Sequence, residues 1–339
     1  MRIASFRALA IAAAVGAMAA AGSAHAALTT FQTFVGNYGV SSDGWGSVSQ
    51  QGTIQATVPA GATVVAAYLY SSVFSQTAGF SPGGTLAGNA VNYATNLGTI
   101  PAPACCELTA HRADVTSIVK PLIDGGPGGV YNFNITETDT RQDGSALVVV
   151  YRDDANLPVS TVAILDGYSR VDGESTTINF AQPLDPGATG FFAEMRLGIG
   201  FSCGPVNGCT NQASRVEVNG GLLTDTAGGM DDSDVGPLGS GANGRLITVG
   251  GDNDPFSNGA SYNDNRERYN LVPFVGLGDT SINIRTINAS RDDNIFLAIF
   301  HVAGEGTIDD GTVPEPLTGA LVGTALLGLA LQRRYAKKA

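Results

Sequence analysis

The chain contains few of the residue types on which nucleic-acid-binding proteins and most enzymes depend. Its 339 residues include three histidines and one tryptophan, Trp45. Away from the two ends of the chain, the only lysine is Lys120. Nucleic acids bind to patches of basic residues, so nucleic acid is excluded as a partner. The shortage of histidine and of aromatic platforms argues against histidine-dependent catalysis and against a glycosidase.

The body of the chain, residues 27–312, is strongly acidic. Without the basic residues of the two ends it has 12 Lys and Arg against 29 Asp and Glu, which is a net charge of −17. A charge of this size keeps a protein soluble and attracts divalent cations.

Long helices are not expected, because 45 glycines interrupt the chain. Short runs of β-branched and aromatic residues alternate with clusters of Gly, Asn, Asp and Pro, which is typical of strands and turns. One helical turn is predicted at 114–118, with Asp114 as its N-cap. These signals predict an all-β fold, an antiparallel β-sandwich of jelly-roll or immunoglobulin-like type. The predicted strands are 63–74, 130–138, 146–151, 161–165, 191–201, 215–218, 246–249, 281–287 and 295–302.

One sandwich of this kind can hold about 250 residues. We therefore expect a single β-sandwich body at 27–304, with a candidate seam near 171–175. Residues 305–312 are polar and rich in glycine, which predicts a flexible linker. Trp45 is assigned to a Gly-rich loop near the N-terminus.

Residues 1–26 have the three parts of a secretory signal peptide. Arg2 and Arg7 precede an apolar stretch at 8–21, and small residues stand on both sides of His25 before Ala27. This pattern predicts cleavage by signal peptidase after Ala26 and export of the body.

The tail, residues 313–339, has three parts as well. The first is Val313, Pro314, Glu315 and Pro316, the second is the uncharged run 317–331, and the third is the basic stop formed by Arg333, Arg334, Lys337 and Lys338. The 15 apolar residues reach about 22 Å as a helix, which is less than the roughly 30 Å of a bilayer core. The basic residues mark the cytoplasmic end of a single transmembrane helix. The prolines keep Glu315 in an extended, accessible backbone.

In order, spacing and position, the tail resembles the PEP-CTERM sorting signal of Gram-negative bacteria. The resemblance implies recognition and cleavage by an exosortase of the inner membrane. The expected localisation is a transient inner-membrane intermediate, followed by the cell surface or the extracellular matrix. An uncut C-terminal anchor is the alternative.

A second, shorter resemblance covers residues 64–170. Its elements are 65–70 (VAAYLY), 113–119 (ADVTSIV), 144–151 (GSALVVVY) and the pair 166–167 (DG). In this order they are similar to a β-rich domain of unassigned function in prokaryotic surface proteins. Ser145 and Ala146 stand where that domain often has an aromatic residue. The resemblance implies a surface module and no reaction.

The four cysteines all lie in the exported body, where an oxidising compartment favours disulfides over a zinc site. Cys203 and Cys209 close a small loop and are the most plausible local bridge. Cys105 and Cys106 then form a vicinal bridge. Alternatively, this pair is cross-linked to Cys203 and Cys209, and the pairing stays open.

Acidic side chains crowd into the loops between residues 231 and 293, and such loops supply the oxygen ligands that Ca²⁺ prefers. Asp and Asn also occupy ordinary turns, and nearby arginines such as Arg268 can neutralise the same carboxylates. Calcium is thus a candidate cofactor, with plain turns and ion pairs as alternatives. The candidate ligands are Asp231, Asp232, Asp234, Asp252, Asp254, Asp264, Glu267, Asp292 and Asp293.

No catalytic residue is predicted. Residues 79–83 match the G-x-S-x-G pattern of serine hydrolases, but Pro82 lacks the N–H that an oxyanion hole needs after the serine. The leading hypothesis is a non-enzymatic, exported surface or matrix protein, associated with exopolysaccharide, with calcium-binding loops. The alternatives are a purely structural matrix protein and an extracellular hydrolase that uses two carboxylates.

Overall fold

The structure is a computed structural model, which describes residues 27–46, 49–75, 79–101, 107–200, 213–228, 247–257, 267–290 and 294–311. Within these ranges the chain forms 20 β-strands, one α-helix and one 3-10 turn at Val272–Phe274. Every strand pair is antiparallel, so the all-β prediction is confirmed. The strands form four sheets.

The first two sheets are built from the N-terminal half of the chain. The N-terminal outer sheet has the order β3 (Gln51–Val58), β9 (Gly129–Glu137), β5 (Gly84–Leu86) and β6 (Asn89–Ala90). The N-terminal inner sheet has the order β2 (Tyr38–Gly46), β10 (Gln142–Arg152), β4 (Thr63–Ser75), β8 (Glu107–Asp114) and β7 (Thr95–Pro101).

The other two sheets come mainly from the C-terminal half. The C-terminal inner sheet has the order β1 (Thr29–Gly36), β11 (Ser160–Asp166), β19 (Asn294–Ala303), β13 (Ala193–Gly200) and β16 (Ile247–Val249), and β17 (Arg268–Asn270) also pairs with β13. The C-terminal outer sheet has the order β15 (Gly221–Ala227), β14 (Ser214–Val218), β18 (Ser281–Ile287), β12 (Glu174–Phe180) and β20 (Gly306–Asp309).

The four sheets are stacked as two sandwiches packed face to face, with a hydrophobic core at each of three interfaces. Leu69 and Phe133 belong to the core of the N-terminal sandwich. Met195 and Ile284 belong to the core of the C-terminal sandwich. The third core, which includes Phe296, lies between the two inner sheets.

Because of this stacking, the inner strands are buried on both faces. In β10, Leu147 and Val149 face the outer sheet, whereas Ala146 and Val148 face the other inner sheet. The side chains of β11 and of β19 are likewise divided between the C-terminal core and the core between the two inner sheets. Strands that are buried on both faces need no polar residues, which explains their uninterrupted apolar sequences. All nine predicted strands are confirmed within a few residues at each end.

The chain passes from the N-terminal to the C-terminal sandwich between Arg152 and Ser160. The predicted seam at 171–175 lies further on, at the start of β12, where the chain moves from the inner to the outer sheet. Residues 306–309, predicted as part of a flexible linker, form β20 and pair with β12. The linker prediction is wrong for these residues, because Ile308 packs on the C-terminal core.

Two local predictions near the N-terminus also need correction. The helix, α1, spans Thr116–Ile123 and has Val115 as its N-cap. Asp114 belongs to β8, where it pairs with Tyr68, and its carboxylate accepts the N–H of Thr116 at 2.9 Å. Trp45 is not in a loop but in β2, where it is 6% exposed and belongs to the N-terminal core.

No helix in the described ranges is long and apolar enough to cross a membrane. The predicted signal peptide, the predicted tail and all four cysteines lie outside the described residues.

Candidate functional site

A cleft of about 360 Å³ opens where the two sandwiches meet beside the segment 247–257. Its lining is mixed, with two arginines, two carboxylates and one histidine next to three aromatic rings. The N-terminal sandwich contributes Val40, Thr57 and Tyr151, and the remaining lining residues are Phe192, Glu194, Arg196, Asp252, Phe256, Arg268 and His301.

Glu194 lies at the centre of the charged groups. Glu194 and Arg196 are two residues apart on β13, so their side chains emerge on the same face of the sheet. Arg196 donates from Nε and Nη2 to Oε1 of Glu194 at 3.2 and 2.7 Å. Arg268, on the adjacent β17, donates from Nε and Nη2 to Oε2 at 3.0 and 2.8 Å. Both oxygens of Glu194 are therefore held by guanidinium groups.

This arrangement keeps Glu194 ionised although its side chain is buried. Burial alone raises a carboxyl pKa, but His301 and the two arginines outweigh it and hold the pKa of Glu194 well below its usual range. Nδ1 of His301 lies 3.8 Å from Oε1 of Glu194.

Asp252 joins the same network from the segment 247–257. Its carboxylate accepts hydrogen bonds from Nη1 of Arg196 and from Oγ of Ser41. Its backbone N–H donates to the carbonyl of Ser42 at 3.0 Å. Arg196 Nη1 also donates to Oγ of Ser42 at 3.0 Å. Arg196 thus connects β13, β2 and the segment that carries Asp252.

His301 also lines the cleft. Its Nε2 lies 3.2 Å from the carbonyl oxygen of Tyr38 and 3.3 Å from Oγ of Ser160. Because a carbonyl oxygen only accepts, Nε2 carries the hydrogen in this contact. The Phe192 ring packs against the imidazole, with 4.5 Å between the ring centres. These contacts hold the imidazole in place within the fold.

Phe256 is the exposed aromatic ring at the mouth of the cleft. It is 45% exposed, and the guanidinium carbon of Arg268 lies 4.8 Å from its ring centre. This cation–π contact, together with the bonds from Arg268 to Glu194, positions the ring. Nearly half of the Phe256 surface remains exposed to solvent.

Three of the predicted calcium ligands lie in the described part, and each has protein partners. Asp252 is paired with Arg196, and Oδ2 of Asp254 accepts the N–H of Gly251 at 2.8 Å. Glu267 is fully buried and accepts from the Tyr269 hydroxyl at 2.7 Å and from the N–H of Gly228 at 3.0 Å. Among the described residues, no group of three or more His, Cys, Asp or Glu could hold a metal ion. The other six candidates, Asp231, Asp232, Asp234, Asp264, Asp292 and Asp293, lie outside the described residues.

Glu194 and Arg196 were not among the predicted site residues. The signal was present in the sequence of β13, AEMRLGIG, where two charged residues alternate in an otherwise apolar strand. A charge in a strand of this kind is stable only when it has a buried partner.

Glu194 is unsuited to act as a general acid, because a general acid at neutral pH needs a raised pKa and the pKa of Glu194 is lowered. Most guanidinium N–H groups are bonded to protein acceptors. A ligand would therefore find aromatic faces and a fixed set of polar atoms, with no unpaired arginine.

No protein-family model, no curated protein and no solved structure matches this chain.

Proposed function

We propose that this protein is an exported, non-enzymatic protein of the cell surface or extracellular matrix of a Gram-negative bacterium, and that it binds an extracellular polysaccharide in the cleft. Signal peptidase and an exosortase would process its two ends, with a transient inner-membrane intermediate. The proposal includes the finer fold assignment, in which each sandwich is of jelly-roll or immunoglobulin-like type.

The observation that carries the binding proposal is the lining of the cleft. Sugar rings have flat C–H faces and a rim of hydroxyl groups. Phe256 offers an exposed ring for the former, and Asp252 and Thr57 offer polar atoms for the latter. The ion pairs hold these groups in place before a ligand arrives, which lowers the entropic cost of binding.

The pairing of the carboxylates in the cleft supports a non-enzymatic role. The hydrolase alternative requires one protonated and one ionised carboxyl group across a scissile bond. Both carboxylates that line the cleft instead bind the same guanidinium, that of Arg196.

Binding to a glycan array tests the proposal. We expect Phe256→Ala to abolish the binding seen for the wild type, and Leu277→Ala to leave it unchanged, because Leu277 is 79% exposed and does not line the cleft. Release of reducing sugar from the bound glycan would instead establish the hydrolase, and a wild type that binds no glycan would leave the purely structural alternative.

Mass spectrometry of the protein from its host tests the sorting part. We expect a mature N-terminus at Ala27 and a C-terminus near 314–316. A chain that still ends at Ala339 would identify the tail as an uncut anchor.

A further inference from the structure

The solvent face of the N-terminal outer sheet carries no charged side chain. Every second residue of β3 from Gln51 to Thr57 faces solvent, as does every second residue of β9 from Val130 to Thr136. Apart from one valine, these eight side chains are amides and hydroxyls. Within the four described strands of this sheet the only charged residue is Glu137, whose side chain is buried.

The absence of charge is specific to this face. The solvent face of the C-terminal outer sheet carries Arg215, Glu217 and Arg285, which form ion pairs with each other. Both faces are the outer surface of a sandwich in the same strongly acidic chain. A solvated face in such a chain is expected to resemble the C-terminal one, so the uncharged face needs a separate explanation.

The uncharged face is continuous with the cleft. Thr57, at the end of β3, lines the cleft together with Asp252 and Phe256. Gln55 and Val130 line a small recess that Thr57 and Asp252 also border. β3 and its partner β9 therefore form one polar track that begins at the cleft. The eight residues of β3 extend over about 25 Å.

Side chains along this track are arranged as cross-strand pairs that donate and accept. Nε2 of Gln55 donates to Oδ1 of Asn132 at 2.7 Å, and the hydroxyls of Thr85 and Thr136 lie 2.8 Å apart. Thr53 and Asn134 are direct cross-strand neighbours. Amides and hydroxyls match the hydroxyl groups of sugars, which also both donate and accept.

We infer that the cleft and this face together form one extended site for a neutral polysaccharide chain. The cleft binds a few sugar units, and the polymer continues across β3 and β9. A neutral polymer is favoured over an anionic one because the body has a net charge of −17 and because most guanidinium N–H groups in the cleft already have protein partners. This inference rests on the proposed function, whose cleft it extends.

Polymer and short-oligomer affinities measured side by side test the inference. The probes are neutral polysaccharides (a β-glucan, a galactomannan and starch), the trisaccharide of each, and alginate as an anionic polymer. The test variant of the full chain is Thr53→Ala/Asn134→Ala. The matched control is Thr177→Ala/Asn283→Ala, which removes a cross-strand Thr–Asn pair from the C-terminal outer sheet.

We expect the test variant to bind a neutral polymer about tenfold more weakly than the wild type, the effect of one or two lost hydrogen bonds. The control variant should keep wild-type affinity, and the trisaccharide, which fills only the cleft, should bind all three proteins alike. If the test variant binds the polymer as the wild type does, the extended site does not exist, although the cleft can still bind sugar. If the wild type binds alginate as tightly as it binds a neutral polymer, the choice of a neutral ligand is wrong. Failure of the wild type to bind any of these neutral glycans overturns the proposed function as well.

Discussion

The carboxylate of Asp310 accepts a hydrogen bond from the backbone N–H of Thr30 at 2.7 Å, although 280 residues separate the two. This bond joins the beginning of β1 to the residue after β20, so the two ends of the described body lie together. A predicted signal peptide before Ala27 and a predicted sorting tail after 312 would therefore leave the body at the same place.

Removal of the Asp310 carboxylate is expected to destabilise this end of the body. Asp310→Ala leaves the N–H of Thr30 without this acceptor, which costs about 1 kcal/mol of unfolding free energy. Denaturant unfolding measures the change. Glu305→Ala is the control, because Glu305 is an exposed acid of the same segment. An equal loss in both variants would show that charge, and not the hydrogen bond to Thr30, is responsible.

Glu137 is expected to make the stability of the body depend on pH. Burial raises the pKa of Glu137 from 4.5 to about 8, against the smaller opposite effect of the Ser145 hydroxyl, which donates to its Oε1 at 3.0 Å. The folded state therefore binds this proton more tightly than the unfolded state does. The resulting stability is complete below pH 4.5 and is lost as the pH rises through 8.

Glu137→Gln removes this titration while keeping the shape of the side chain. We expect its unfolding free energy to vary less between pH 5 and pH 9, and to exceed that of the wild type at pH 9 by a few kcal/mol in order of magnitude. Unfolding in denaturant at each pH measures this, and Glu305→Gln should retain the wild-type dependence. Parallel pH profiles for Glu137→Gln and the wild type would contradict the prediction.

Arg196 is expected to be the most sensitive residue of the cleft. Arg196→Met leaves two carboxylates, Glu194 and Asp252, without their shared partner in a buried site, which costs about 3 to 5 kcal/mol. The control is Arg215→Met on the C-terminal outer sheet, where the arginine is half-exposed and the loss is about 1 kcal/mol or less. A loss of similar size in both variants would mean that the buried network contributes little.

Calcium binding by the acidic loops remains a prediction that thermal melting can test. A cation that binds only the folded state raises the melting temperature, and the rise grows with the logarithm of the cation concentration above its Kd. We expect millimolar Ca²⁺ to raise the melting temperature relative to a chelator. No rise would remove calcium as a cofactor and leave turns and ion pairs as the role of these carboxylates.

The strand positions could be read from the sequence because they depend on local patterns. Runs such as ALVVVY in β10 are apolar and β-branched at neighbouring positions, whatever they pack against. The helix was placed too early for a local reason as well. Asp114 is a good N-cap residue, but its backbone is held in the ladder with Tyr68, so the helix begins two residues later.

The acidic charge of the body, its all-β class and the predicted signals at both ends follow from the amino-acid sequence alone, since composition and local pattern are sufficient for each. Only the tertiary structure decided that four sheets stack in two sandwiches, because continuous apolar strands fit any sheet that is covered on both faces. The cleft also depends on the tertiary structure. Glu194 and Asp252 are 58 positions apart in the sequence, and they share Arg196 only because β13 and the segment 247–257 pack against β2.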